Sequence, residues 1–312
     1  MSSQQLRRII AIALPVLLLV AGLVLVLSQT SRPLLLLRVL VPWAEVGALA
    51  IVMTAIILTG GIDLSVGSIA ALSGVVLGTL YQEAGWSIGA AACGAIVAGT
   101  GAGALNGTLV VAGLSPLVAT LATMAFFRGL AMLISDTQRV TGFPESFCEL
   151  SRLGGVSTQF WLLGFVGLSG LVVVHATIFG RWCFAVGDNR TAARFAAVPD
   201  RRVDFALYTT SGLVASLVAV ATCMQHDSVV PDAFRGVELQ VIACVVVGGT
   251  LITGGRGGVL QTLLGLGVIA LLDIGLNLLS SRVSFLTAES RLIATGLLLI
   301  GLAVWNERLQ KE

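Results

Sequence analysis

Long apolar runs constrain this chain more than any other feature. Segments 9–27, 39–58, 65–80, 87–111, 116–134, 160–179, 205–224, 239–252, 259–279 and 285–305 are nearly free of charge, and short polar stretches separate them. About 20 apolar residues are what an α-helix needs to cross a hydrocarbon core of about 30 Å. The predicted fold class is therefore all-α: a polytopic transmembrane helical bundle of about ten helices, with residues 1–312 read as a single transmembrane domain. Only 11% of the residues are charged, against about 25% in a soluble domain. The 37 glycines and 6% aromatic content favour helices packed through small residues over a barrel with aromatic girdles.

Runs 65–80 and 239–252 are too short to cross as ideal helices, and each adjoins a glycine cluster. Both are expected to be interrupted or partly inserted. The clearest interruption is Thr59-Gly60-Gly61-Ile62-Asp63-Leu64-Ser65-Val66-Gly67-Ser68. Irregular backbone at membrane depth must be shielded by protein or line a cavity, because lipid cannot bond its amides and carbonyls. A carboxylate there is costly and faces a bundle interior or water. Two readings stay open: a tight surface loop in which Asp63 caps the next helix, or a shielded segment on a solute path. A second threonine-glycine-glycine break, Thr253-Gly254-Gly255-Arg256-Gly257-Gly258, follows run 239–252. Paired interruptions in two halves point to a transport pathway.

Other polar groups lie inside or near the runs. Glu45 is expected near the outer end of its helix, where solvation is cheap. Asp273 and Asn277 share a helix face by their four-residue spacing. Asn106, Thr120 and Thr123 are neutral hydrogen-bonding groups that suit a sugar or polyol and would serve equally as interhelical bonds. The substrate-pathway candidates are Asp63, Ser65, Asn106, Thr123 and Asn277.

Arg7 and Arg8 before the first run place the amino terminus in the cytoplasm, and an even helix count returns the carboxyl terminus there with Arg308 and Lys311. Segment 180–204 carries Arg181, Arg190, Arg194, Arg201 and Arg202 and is read as a cytoplasmic loop. Within it, Asp188 or Asn189 would cap a short alanine-rich helix that ends before Pro199. Such a helix suits docking into a partner's groove.

Several classes are excluded. A single lysine and dispersed arginines give no basic field for nucleic acid. No phosphate loop, catalytic nucleophile with its base, or metal-ligand spacing is present, so neither an enzyme nor a cofactor or metal site is expected. The five cysteines read as small buried hydrophobes, and His175 and His226 as interfacial side chains.

The 59–68 signature resembles that of ribose-type monosaccharide ABC transporter permeases. Three further stretches resemble the same family in the same order. They are Leu105-Asn106-Gly107 through Pro116 to Thr120-Leu121-Ala122-Thr123-Met124 and Arg128-Gly129; Ala185-Val186-Gly187-Asp188-Asn189 with Ala192-Ala193-Arg194; and Glu238-Leu239 through Val247-Gly248-Gly249-Thr250 to Gly254-Gly255-Arg256-Gly257. The resemblance implies a multi-pass permease of the bacterial inner membrane, working with a cytoplasmic ATP-binding subunit, a second permease subunit and a periplasmic sugar-binding protein. It implies that Gly187, Asp188, Asn189, Ala192, Ala193 and Arg194 belong to the element coupled to the ATPase, and that helices bearing Asn106 and Asn277 border the path. ATP would be used by the partner. Gln240 and Phe195-Ala196-Ala197 depart from the usual pattern and suggest a rhamnose-like or autoinducer-2-like branch. A self-contained carrier or facilitator for a small polar solute is the alternative, and a carrier has no need of a docking helix.

Overall fold

The computed structural model describes residues 33–280 and residue 296. The expected spans 9–27 and 285–305 and the terminal charges lie outside the described residues. Each of the other eight runs coincides with a helix: α1 (Pro33–Leu58), α2 (Val66–Gln82), α3 (Ile88–Val111), α4 (Pro116–Ile134), α6 (Thr158–Ala176), α9 (Asp200–His226), α10 (Val237–Val247) and α11 (Val259–Ser280). Three short helices occupy the longer connections: α5 (Glu145–Glu149), α7 (Ile178–Asp188) and α8 (Arg190–Phe195). Among the described residues, strand is confined to two small antiparallel pairs, β1 (Val140–Thr141) with β4 (Ser228–Val229) and β2 (Arg152–Leu153) with β3 (Val156–Ser157).

Six described helices are long and apolar enough to cross a membrane. The two interrupted elements are α2 and α10, with 17 and 11 residues, or about 26 Å and about 17 Å of helix. Burial explains how so short a helix as α2 persists. It is packed along most of its length, from Val66 to Gly78, by neighbouring helices, so protein rather than lipid surrounds its amino-terminal end. Helix α1 is 83% buried over its most apolar window and α9 61%, against 28% for α3 and α4 and 22% for α6. Helices α1, α2 and α9 thus form the interior. Val97 of α3, Phe126 and Leu133 of α4 and Phe165 of α6 face outward, as apolar side chains can where the solvent is hydrocarbon.

Apolar burial alone gives helices little reason to associate in lipid, so close backbone approach must supply the contact. One such close crossing is between α3 and α9. A Cβ added at Gly103 would stand 2.4 Å from the Tyr208 carbonyl oxygen, and one at Gly212 would stand 2.2 Å from the Gly99 carbonyl oxygen. Hydroxyls add links elsewhere: Thr54 of α1 and Thr262 of α11, both buried, lie 2.6 Å apart.

The far end of the bundle is closed by the segment between α4 and α6. Phe143 and Phe147 are buried, with ring centroids 5.6 Å apart and Tyr81 beside Phe143 at 6.3 Å. Asp227, in the left-handed region at φ 50°, accepts a hydrogen bond from the Phe143 amide at 2.8 Å.

Two expectations are corrected. Glu45 is half-buried rather than freely solvated, and its Oε1 accepts from Thr222 Oγ1 at 2.8 Å and Gln159 Nε2 at 3.4 Å. Cys183, Cys223 and Cys244 are buried as expected, but Cys93 is exposed; α3 is apolar all round, so hydropathy does not tell its inner face from its outer one.

Gly103→Ala is expected to lower the thermal unfolding midpoint of the detergent-solubilised protein, because the methyl has backbone on the other side. Gly101→Ala, whose Cβ meets nothing within 4 Å, is expected to leave the midpoint unchanged or raise it slightly, as alanine is the better helix former. Equal midpoints for both would show that the α3–α9 seam does not hold the bundle.

Candidate functional site

Helix α1 stops at Leu58, where the chain turns sharply. The amides of Thr59 and Gly61 both donate to the Ile56 carbonyl, at 3.1 and 3.0 Å, and the Gly60 amide donates to Ile57 at 2.8 Å. Gly60 takes φ +78°, the left-handed conformation that ends helices at glycine. The chain then runs through Asp63, which is fully buried. Asp63 Oδ1 accepts from the Ser65 amide at 2.9 Å and Ser65 Oγ at 2.7 Å, and Oδ2 accepts from Ser211 Oγ of α9 at 2.7 Å. Asn106 Nδ2 of α3 donates to Ser65 Oγ at 2.6 Å. The Ile62 carbonyl receives Thr120 Oγ1 of α4 at 3.2 Å and the Tyr208 hydroxyl of α9 at 3.4 Å.

Each open reading of the break therefore holds in one respect. Asp63 does bond the amide two residues on, at the start of α2, as a capping residue would. It does so inside the bundle, with a further donor from Ser211 of α9, and not at a solvated surface. Asp63, Ser65 and Asn106 form one network. Thr123 lies one turn beyond Thr120 and donates to its carbonyl at 3.2 Å. Asn277 stands apart on α11, where its Nδ2 donates to the Asp273 carbonyl at 2.9 Å and carboxylate at 3.2 Å, the pairing its spacing predicts.

The second break meets the first. Gly254 and Gly255 have φ +91° and +76°, and the Gly255 amide donates to the Leu58 carbonyl at 2.9 Å. Gly187, at the end of α7, fits against both. A Cβ there would lie 1.8 Å from the Leu58 oxygen and 2.4 Å from the Gly255 nitrogen. Three stretches distant in sequence thus touch backbone to backbone, and only glycine fits between them.

The arginine-rich loop forms two helices. Asn189 rather than Asp188 caps α8, its Oδ1 accepting from the Ala192 amide at 3.0 Å. Arg194 bonds Asp200 at 2.9 Å through Nε and 2.8 Å through Nη2. Arg190 spans the Asp204 carboxylate, Nη1 to Oδ2 at 2.5 Å and Nη2 to Oδ1 at 3.2 Å, and Nη2 also donates to the Thr59 carbonyl at 3.3 Å. The hydrogen bond to Asp204 holds the Arg190 guanidinium protonated beyond its ordinary range. Of the residues expected to couple, Asp188, Asn189, Ala192 and Arg194 are exposed, whereas Ala193 is buried. Phe195, 89% exposed, is the largest apolar group presented by the loop. Ala193 therefore anchors the helix, and the outward face belongs to Ala192 and Phe195.

Arg190, Asp204, Tyr208 and Ser211 belong to the network around the break and were missed by sequence reasoning. The one available signal was the spacing of polar positions 200, 204, 208 and 211 on a single face, set among further polar residues that include Arg201, Arg202, Thr209 and Thr210. At the far end, a cavity of about 580 Å³ is lined by residues that include Arg38, Glu45, Arg152, Ser157 and Gln225. None of the expected pathway residues lines it.

Comparison with known proteins agrees with this architecture. A family described as branched-chain amino acid transport system / permease component matches residues 35–303. The ribose import permease protein RbsC of Escherichia coli (strain K12) is 37% identical over 240 residues, 74% of this chain and 74% of that protein. Its namesake in Bacillus subtilis is 38% identical over 259 residues, 80% and 78% of the two chains. The autoinducer 2 import system permease protein LsrC of Yersinia enterocolitica is 31% identical over 265 residues, 84% and 72% of the two chains. No solved structure matches significantly.

Asp63→Ala leaves the Ser65 amide and the Ser65 and Ser211 hydroxyls without their acceptor. It is expected to destabilise the protein by several kcal/mol, at about 1–3 kcal/mol per stranded buried group, and Ser211→Ala by less. Denaturant titration of both variants in detergent checks the order. A midpoint for Asp63→Ala equal to that of the parent would contradict it.

Proposed function

The chain belongs to the branched-chain amino acid transport system / permease component family, and we propose that it is the membrane permease subunit of an ABC importer for a monosaccharide or similar small polyol. The names of its relatives, ribose and autoinducer 2 import permeases, support that substrate class. The observation that carries the mechanism is the direct attachment of the exposed α8 segment, through Arg190 and Gly187, to the break that contains Asp63.

On this reading the arginine-rich loop 180–204 faces the cytoplasm, both termini lie on that side, and the protein resides in the bacterial inner membrane with lipid around α3, α4 and α6. A separate ATP-binding subunit docks on the face bearing Asp188, Asn189, Ala192, Arg194 and Phe195. ATP is bound and hydrolysed there and not by this chain. A periplasmic sugar-binding protein delivers solute to the opposite side. A second permease subunit, identical or homologous, completes the path, which is bordered in this chain by the helices carrying Asp63, Ser65, Asn106, Thr123 and Asn277. Neutral hydroxyl and amide groups there can exchange hydrogen bonds with sugar hydroxyls without a counter-charge. Closure of the ATPase pair moves the docking helices, and the path changes the side to which it opens.

The test is affinity purification of the tagged chain from its native membrane in mild detergent, followed by mass spectrometry and ATPase assay. A stoichiometric ATPase whose turnover rises with a periplasmic sugar-binding protein is expected, and Phe195→Asp is expected to lose that ATPase while still inserting in the membrane. A lone chain that moves solute in liposomes without ATP would overturn the reading in favour of a self-contained carrier.

A further inference from the structure

We propose that one face of α9, formed by Asp200, Asp204, Tyr208 and Ser211, is the element that transmits motion of the docking helix to the buried break. These positions are spaced by four, four and three residues, so they lie in one row along the helix. All four are at least nine-tenths buried. Arg190 pairs with both Asp204 at 2.5 Å and Asp200 at 3.5 Å, and the partners of the row advance in order from the docking helix to the membrane interior. Asp200 holds Arg194, Asp204 holds Arg190, Tyr208 donates to the Ile62 carbonyl, and Ser211 donates to Asp63. From Asp63 the same chain of bonds continues through Ser65 to Asn106 on α3.

The physical reason for joint motion is the penalty for separation. A buried polar group that loses its partner without gaining water loses far more than the bond is worth in solution. The docking helix cannot slide along α9 without stranding Asp200 and Asp204, and the break cannot leave α9 without stranding Asp63. Gly187 adds a steric stop, since its backbone is already in contact with the Leu58 carbonyl. A displacement at α8 is therefore carried as a shift of α8, the start of α9 and the break together. Tyr208 is the joint of the row. Its contact with Ile62 is the longest in the series at 3.4 Å, and Gly61 leaves it room, since a Cβ there would stand 2.7 Å from the phenol oxygen.

This inference rests on the docking reading of α8. The experiment uses the purified complex in proteoliposomes, with sugar uptake per ATP hydrolysed as the readout. A merely structural row would lower the unfolding midpoint and the yield of complex but leave that ratio unchanged. Tyr208→Phe is expected to lower the ratio about fivefold, the equivalent of one neutral hydrogen bond. Asp204→Asn is expected to lower it about tenfold or more, because a charge-assisted pair is lost. The double variant should lose no more than the larger single loss, since both sit in one series. Thr210→Ala, on the exposed side of α9, should leave the ratio unchanged.

Unchanged ratios in Tyr208→Phe and Asp204→Asn, with Phe195→Asp still releasing the ATPase, would overturn the transmission row and leave the docking reading standing. Losses that multiply in the double variant would overturn it as well. An ATPase that stays bound and coupled in Phe195→Asp would remove the docking reading and this inference with it.

Discussion

A carboxylate with no access to water stands at the centre of this structure. Asp63 receives three hydrogen bonds, two from Ser65 and one from Ser211, and those bonds fix where α2 begins and which face of α9 turns inward. Water cannot complete the bonding of an irregular segment at this depth, so every exposed amide and carbonyl must find protein. The Ile62 carbonyl finds Thr120 and Tyr208, the Thr59 carbonyl finds Arg190, and the Leu58 carbonyl finds Gly255. The requirement to satisfy one short break thus specifies the positions of α3, α4, α8, α9 and the second break.

Glycine makes that arrangement geometrically possible. Gly187 admits the approach of α7 to the end of α1, and Gly103 with Gly212 brings α3 close enough to α9 for Asn106 and Ser211 to reach the same network. Close packing and polar satisfaction are here a single constraint, because the short side chains of serine and asparagine reach across only where the backbones nearly touch. The same tightness implies that the parts move as units, since a packed junction without spare volume shifts between discrete arrangements more readily than it deforms.

Much of this was legible in the sequence, for reasons that differ by feature. The spans within the described residues follow from hydropathy, because a bilayer sets both the length and the composition of a helix. The break at 59–68 shows in its glycines and in Asp63, the pairing of Asp273 with Asn277 shows in a four-residue spacing, and the α8 helix shows in its alanines and its asparagine cap. What escaped is what depends on contacts between distant residues. Arg190 meets Thr59 across 131 positions and Ser211 meets Asp63 across 148, and no local pattern encodes such pairs. The direction in which a uniformly apolar or alanine-rich helix faces is equally hidden, which is why Cys93 is exposed, Ala193 is buried and Glu45 has partners from α6 and α9.

The central claim is that the docking helix and the break form one moving unit. Hydrogen–deuterium exchange on the assembled complex in nanodiscs, followed at residues 59–68 and 187–199 with and without ATP, tests it most directly. The account predicts that protection changes in both segments together when ATP binds, and that the change at 59–68 disappears in Tyr208→Phe. A complex that transports normally while exchange at 59–68 stays constant through the ATP cycle would contradict it.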